Sequence, residues 1–194
     1  MIDYVFPTPI FAVDLPPTEL EIINKEIETA LPDIRQHKSL SLYTGRIEST
    51  FRFDDDEHVN DIVKFKLSNF NDFVVQAVHA FAHNLNYKGN LLKLDGSWFN
   101  FFDKGSFYHE HVHPGVRVAG VYYHKSDGVD AKLGFKNPNP HMYIGNWPAD
   151  GTDEECVFYP PKEGRLMLWP AWLSHRVEIK KTFGERISIG VNFV

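Results

Sequence analysis

One cysteine, Cys156, stands among 194 residues. A disulfide framework and a cysteine-type zinc finger are therefore excluded. A chain of this length buries enough surface to fold without either. Long apolar runs are missing as well: none reaches the roughly 18 residues needed to span a bilayer. Positive charge is in short supply, with 20 Lys and Arg against 26 Asp and Glu and a net charge of −6. That argues against broad nucleic-acid binding, which needs a basic surface. The first residues, Met1-Ile2-Asp3-Tyr4, lack the basic and apolar regions of a secretory signal. The expectation is a cytoplasmic protein with neither a membrane nor a nucleic acid as partner. What the chain has in plenty is phenylalanine, 16 residues, and histidine, 10 residues, with five of the His between 109 and 141.

Period and punctuation divide the chain in two. In 1–90 the alternation over 10–14 predicts a short strand, and Pro7 and Pro9 suit an edge position. Such an edge, near residues 2–14, is the candidate contact for a homodimer. A helix is predicted over about 18–31, with Thr18 and Glu21 at capping-box spacing, a stripe of Leu20, Ile23, Ile27 and Leu31, and Pro32 as its stop. Residues 32–53 show no sustained period and read as loop with short strands. A second helix is predicted over 56–86, opened by the acidic run 54–57 and stopped by Gly89. From 91 to 194, eight short aromatic and β-branched runs alternate with turn residues, the pattern of a sandwich, barrel or jelly roll. The predicted strands are 91–102, 106–112, 116–124, 131–136, 155–159, 165–169, 175–180 and 185–193. The long loop 137–153 is polar and aromatic (Asn139, His141, Tyr143, Asn146, Trp147), and loops of that kind commonly frame a substrate entrance. One domain over 1–194 is expected, the first 90 residues supporting a β-core in the rest.

The densest chemistry lies in Tyr108-His109-Glu110-His111-Val112-His113-Pro114. On a strand, residues i and i+2 share a face about 7 Å apart, and two imidazoles so placed can tilt onto one metal ion. Two pairs are open, 109 with 111 or 111 with 113, while alternation sends Glu110 to the opposite face. The candidate third ligand is His175, at the start of a strand after Trp169-Pro170-Ala171-Trp172-Leu173-Ser174. Three alternating His and a fourth at a strand start favour a site for a borderline metal over solvated side chains. In the last strand, Arg186, Ser188 and Gly190 share one face, and Ile187, Ile189 and Val191 the other. If the aliphatic set packs under helices, Arg186 points inward and needs a partner. That partner is either a protein carboxylate or the carboxylate of a small ligand gripped by the guanidinium fork.

The order His-x-His, a distant His, then Arg-x-Ser eleven residues on resembles the non-haem iron, 2-oxoglutarate-dependent oxygenases. More closely, the chain resembles the small 2OG-Fe(II) oxygenase family met in phage and bacterial genomes. Leu94–Asn100, His111-Val112-His113-Pro114, Gly120–Tyr123, Pro161–Gly164 and Trp169–His175 carry the likeness, which covers nearly the whole chain. The resemblance implies a double-stranded β-helix, or jelly roll, with helices on one outer side. It implies Fe(II) held by His111, His113 and His175, and 2-oxoglutarate held by Arg186 with Ser188. It further implies a dioxygenase that consumes dioxygen, releases succinate and CO2, and hydroxylates a small molecule or peptide. Asn100 and Tyr122 are expected to help hold the keto acid, with Tyr123 as the alternating alternative to Tyr122. His109 is placed at the substrate entrance, and His124 and His141 in solvent. One departure stands out: where most of the superfamily has His-x-Asp or His-x-Glu, this chain has His113. Three-His cupin-type metal chemistry without a keto acid, and a non-catalytic jelly-roll module, are the competing expectations.

Overall fold

A computed structural model of the chain describes residues 7–41, 45–51, 59–139 and 156–194. Its elements run β1 (Phe11–Asp14), α1 (Pro17–Ile34), β2 (Ser39–Ser41), β3 (Ile47–Ser49), α2 (Asp61–Lys64), α3 (Ser68–Asn84), β4 (Leu94–Phe102) and β5 (Tyr108–His111). They continue with β6 (Val118–Lys125), β7 (Leu133–Lys136), β8 (Cys156–Tyr159), β9 (Arg165–Pro170), β10 (His175–Val177) and β11 (Arg186–Phe193). Each of the eight runs predicted from residue 91 onward overlaps one of the strands β4 to β11, with ends a few residues apart. Two antiparallel sheets result. The larger has the order β1-β9-β6-β11-β4-β3-β2, and the smaller β5-β10-β7-β8. This is the expected mainly-β architecture with helices on one outer side. Among the described residues no helix is long and apolar enough to cross a membrane.

Period-2 alternation sorts the side chains of the large sheet onto two faces. One face turns Phe99, Phe101, Leu166, Leu168, Ile187, Ile189, Val191 and Phe193 toward the helices. There they meet Ile23, Ile27 and Ile34 of α1 and Phe70, Val74, Val78 and Phe81 of α3. Each such side chain contributes about 1.5–3 kcal/mol by leaving water. The other face turns Ala119, Tyr123, Met167 and Trp169 toward Leu133 and Phe135 of the small sheet. The site lies in this inner layer.

Four local expectations need correction. Thr18 caps nothing: α1 starts at Pro17 behind Pro16 and has no side-chain cap. Pro32 does not end α1, which runs to Ile34; the fully buried Ile34 holds the last turn against the lost N–H bond. The predicted long helix is two helices, because Lys66 between them is left-handed (φ 55°). The break is supported from α1: the Glu26 carboxylate accepts from Asn69 and Phe70 N–H at 3.0 and 2.9 Å, capping α3 from a distant part of the chain. Asn86, not Gly89, supplies the left-handed residue after α3 (φ 53°), with Tyr87 N–H returning to Ala82 O at 2.9 Å. The acidic run 54–57 and most of the loop 137–153, with His141, Tyr143, Asn146 and Trp147, lie outside the described residues.

Candidate active site

Strand pairing assembles the three imidazoles. In the ladder of β5 with β10, His111 and His175 stand directly opposite. His113 lies two residues past β5, where its N–H bonds Ala171 O at 3.0 Å and ties it to the turn before His175. The ring centroids of His111 and His175 are 4.3 Å apart, those of His111 and His113 5.2 Å, and those of His113 and His175 5.1 Å. One nitrogen from each lies within 4.8 Å of the other two.

Their second nitrogens are all engaged. Nδ1 of His111 donates to His109 O at 2.8 Å, Nδ1 of His175 to Leu173 O at 2.9 Å, and Nδ1 of His113 to the Asn192 Oδ1 at 2.6 Å. A carbonyl oxygen only accepts, so each partner places the proton on Nδ1 and leaves the Nε2 lone pair free. Burial lowers the pKa of all three, that of His113 to about 4 and that of His175 well below its ordinary value. They are neutral at neutral pH, the form that binds a metal. The donor set and its oriented outer partners fit a divalent transition metal.

His109 is excluded from this group by a bulge. Between His175 and Val177 the opposite strand runs from His111 back to Tyr108, one residue more than β10 offers. The extra residue breaks the alternation. His109 stays exposed with its ring edge-on to Phe107, while Tyr108 stacks on His111 at 4.8 Å. Glu110 faces away, as expected, and pairs with Lys136 at 3.1 Å.

Arg186 does point inward. It is 2% exposed, with its guanidinium between the rings of Phe102 (4.5 Å) and Tyr123 (5.0 Å). Its Nη1 donates to Ala131 O at 2.6 Å, and its Nε has no partner among the described residues. Among the described residues no carboxylate bonds it; Asp127 and Asp130 act on it only through space. Ser188 and Asn100, directly paired across β11 and β4, are buried beside it, and Asn100 Oδ1 accepts from Ser49 Oγ at 2.9 Å. One inner cavity of about 50 Å³ touches Arg186, Ser188, Asn100 and all three His. An outer cleft of about 660 Å³ reaches His111 and His113 past Phe51, Trp98, Tyr108 and Val112.

Tyr122 is a correction. It pairs with outward-facing Ile189 and packs on Phe70 (4.8 Å) and Phe73 (6.1 Å) in the helical layer. Tyr123, opposite inward-facing Ser188, is the tyrosine under Arg186. Residues opposed across a ladder share a face, and the register that opposes them is tertiary. His124 is also misplaced by the sequence reading. It is the extra residue of a bulge in β6, 5% exposed, with its Nδ1 3.1 Å from Asn24 Oδ1 in α1. Two residues were missed. Asn192, which orients His113, extends the alternation Arg186, Ser188, Gly190, and Trp98 precedes Asn100 by two on β4, so the signal was present in both cases.

Comparison with known proteins supports the same architecture. No curated protein matches the chain. A Pseudomonas putida prolyl-4-hydroxylase is 14% identical with TM-score 0.60, over 96% of this chain and 92% of the other. A viral collagen prolyl hydroxylase from Paramecium bursaria Chlorella virus-1, in a 2OG complex, is 14% identical with TM-score 0.56, over 95% and 94%. HygX from Streptomyces hygroscopicus, with nickel, 2-oxoglutarate and hygromycin B bound, is 11% identical with TM-score 0.57, over 96% and 82%. At these identities the likeness is one of fold, the jelly roll expected from the sequence. The family model described as "Putative 2OG-Fe(II) oxygenase" matches residues 96–192. That span is half of the chain and runs from within β4 to within β11, through the three imidazoles and the buried arginine. The protein belongs to the 2OG-Fe(II) oxygenase family, whose members depend on Fe(II) and 2-oxoglutarate.

Proposed function

We propose that His111, His113 and His175 hold Fe(II), that Arg186 with Ser188 receives the distal carboxylate of 2-oxoglutarate, and that the outer cleft presents a substrate for hydroxylation. The observation that carries this reading is the buried Arg186, a full positive charge with one backbone acceptor and no bonded carboxylate among the described residues, lining the same cavity as three neutral imidazoles. A buried charge without a counter-charge is strongly unfavourable. A ligand carboxylate answers it with bidentate, charge-assisted bonds.

When bound, the iron would let dioxygen act as the oxidant, with 2-oxoglutarate oxidised to succinate and CO2 as one oxygen atom goes to succinate and the other to the substrate. The chain's own residues bind, orient and shield. The Nδ1–H bonds of the three His fix ring orientation before any ion arrives. Phe102 and Tyr123 sandwich the guanidinium and keep its fork aimed along the cavity. Trp169 and Leu133 keep bulk water from its walls. Three neutral ligands leave the charge of a divalent ion uncompensated, which favours a dianionic co-substrate. The single cysteine suits the reducing cytoplasm expected from the sequence, where ferrous iron persists. The named neighbours include prolyl hydroxylases and a protein with hygromycin B bound; a peptide or small molecule is accordingly the substrate class proposed for the cleft.

Anaerobic titration of metal-stripped protein with Fe(II) and 2-oxoglutarate tests the assignment, read by the weak visible band of the chelated keto acid. The wild type develops the band, His175→Ala loses iron, and Arg186→Ala keeps iron and loses 2-oxoglutarate. Normal 2-oxoglutarate binding by Arg186→Ala overturns the anchor.

A further inference from the structure

Trp98 occupies a place that neither the metal ligands nor the arginine accounts for. It stands opposite Gly190, which lies between Ser188 and Asn192 on the inward face of β11. Glycine is sterically required there: a Cβ would meet the indole Cε2 at 2.4 Å and Nε1 at 2.8 Å. The nitrogen-bearing edge of the ring therefore lies flat on the strand. The register sets Trp98 level with the position between Ser188 and Asn192, whose amide holds His113. Phe51 packs on the indole at 5.1 Å, and His113 is 5.9 Å away.

Trp98 is 7% exposed and lines both the inner cavity and the outer cleft. Its Nε1–H is buried with no partner among the described residues. Buried donors are nearly always satisfied, and leaving one unmade is unfavourable. An indole N–H only donates, so the missing partner is an acceptor. Trp169 is also unpartnered at Nε1, but it lines the inner cavity alone and packs edge-on to Phe135 and His175.

The geometry points to Trp98 as a co-substrate-binding residue whose indole N–H donates to an oxygen at the chelating end of 2-oxoglutarate, on the metal side of Ser188. This rests on the reading in which Arg186 takes the distal carboxylate. Anaerobic calorimetry of 2-oxoglutarate into the Fe(II)-loaded protein tests it, with metal affinity measured alongside. The comparison set is the wild type, Trp98→Phe, Arg186→Ala, and a protein carrying 3-benzothienylalanine at position 98. The last replaces N–H by sulfur in a ring of the same shape, so packing is kept and only the donor is lost. Both Trp98 replacements keep iron affinity and bind 2-oxoglutarate about tenfold or more weakly, the size of a hydrogen bond to a charged group. Unchanged 2-oxoglutarate affinity in the sulfur isostere, beside lost binding in Arg186→Ala, overturns the role of Trp98 alone. Normal binding in Arg186→Ala overturns the underlying anchor as well.

Discussion

The last strand has two faces with different tasks. On one, Ile187, Ile189, Val191 and Phe193 lock the sheet to α1 and α3. On the other, Arg186 and Ser188 line the inner cavity, Gly190 makes room for Trp98, and Asn192 orients His113. The two sets interleave residue by residue, yet one holds the fold and the other builds the site. A strand separates stability from chemistry by a half-turn of its backbone, so substitutions on neighbouring residues of β11 should have unrelated consequences.

The comparison breaks most visibly at the inner histidines. His175→Ala should abolish Fe(II) binding, as measured by metal titration, while unfolding of the metal-free protein changes little. On the outer face, Ile189→Ala should lower unfolding free energy by about 2–5 kcal/mol in denaturant melts. What folds should bind 2-oxoglutarate with unchanged affinity.

A third test uses pH. Burial lowers the pKa of His124 to about 4 in the folded protein, against about 6.5 in the unfolded chain. The unfolded state then binds more protons between those values. Stability is full above pH 6.5 and falls as pH drops toward 4, by about 3 kcal/mol from this group. Melts of the metal-free protein at stepped pH should show the slope, and His124→Gln should reduce it, the remainder coming from the buried His111, His113 and His175.

Smaller effects sharpen the picture. Asn192→Ala should weaken metal affinity about 10- to 100-fold, as loss of an outer partner does, without moving the melting temperature far. Smallest of all, Tyr122→Phe should leave 2-oxoglutarate affinity unchanged, because that hydroxyl lies in the helical layer and has no partner there among the described residues.

Much of this was legible in the residues. The inward Arg186 followed from alternation in β11, and the eight β-runs from their composition and punctuation. The grouping of His111, His113 and His175 that the structure brings together was legible once the spacing was set beside the family's pattern. The failures share a cause. His124 was misplaced by a bulge in β6, and Tyr122 by a register with β11 that no local pattern records, while the bulge in β5 settled which of the two open His pairs faces His175. The split of the long helix depends on a carboxylate from α1, a partner some forty residues away. Pro32 stays inside its helix because the buried Ile34 outweighs a local stop signal.

The sequence by itself determined which residues alternate, which faces are apolar, and that histidines and an arginine are available for a metal and an anion. Those properties are local: they follow from side-chain type and a two-residue period. Only the tertiary structure decided which histidine leaves the cluster, which tyrosine lies under Arg186, and that the Trp98 N–H is buried at the inner cavity with no partner among the described residues. These depend on strand register, and register is set by the summed packing of two sheets and a helical layer.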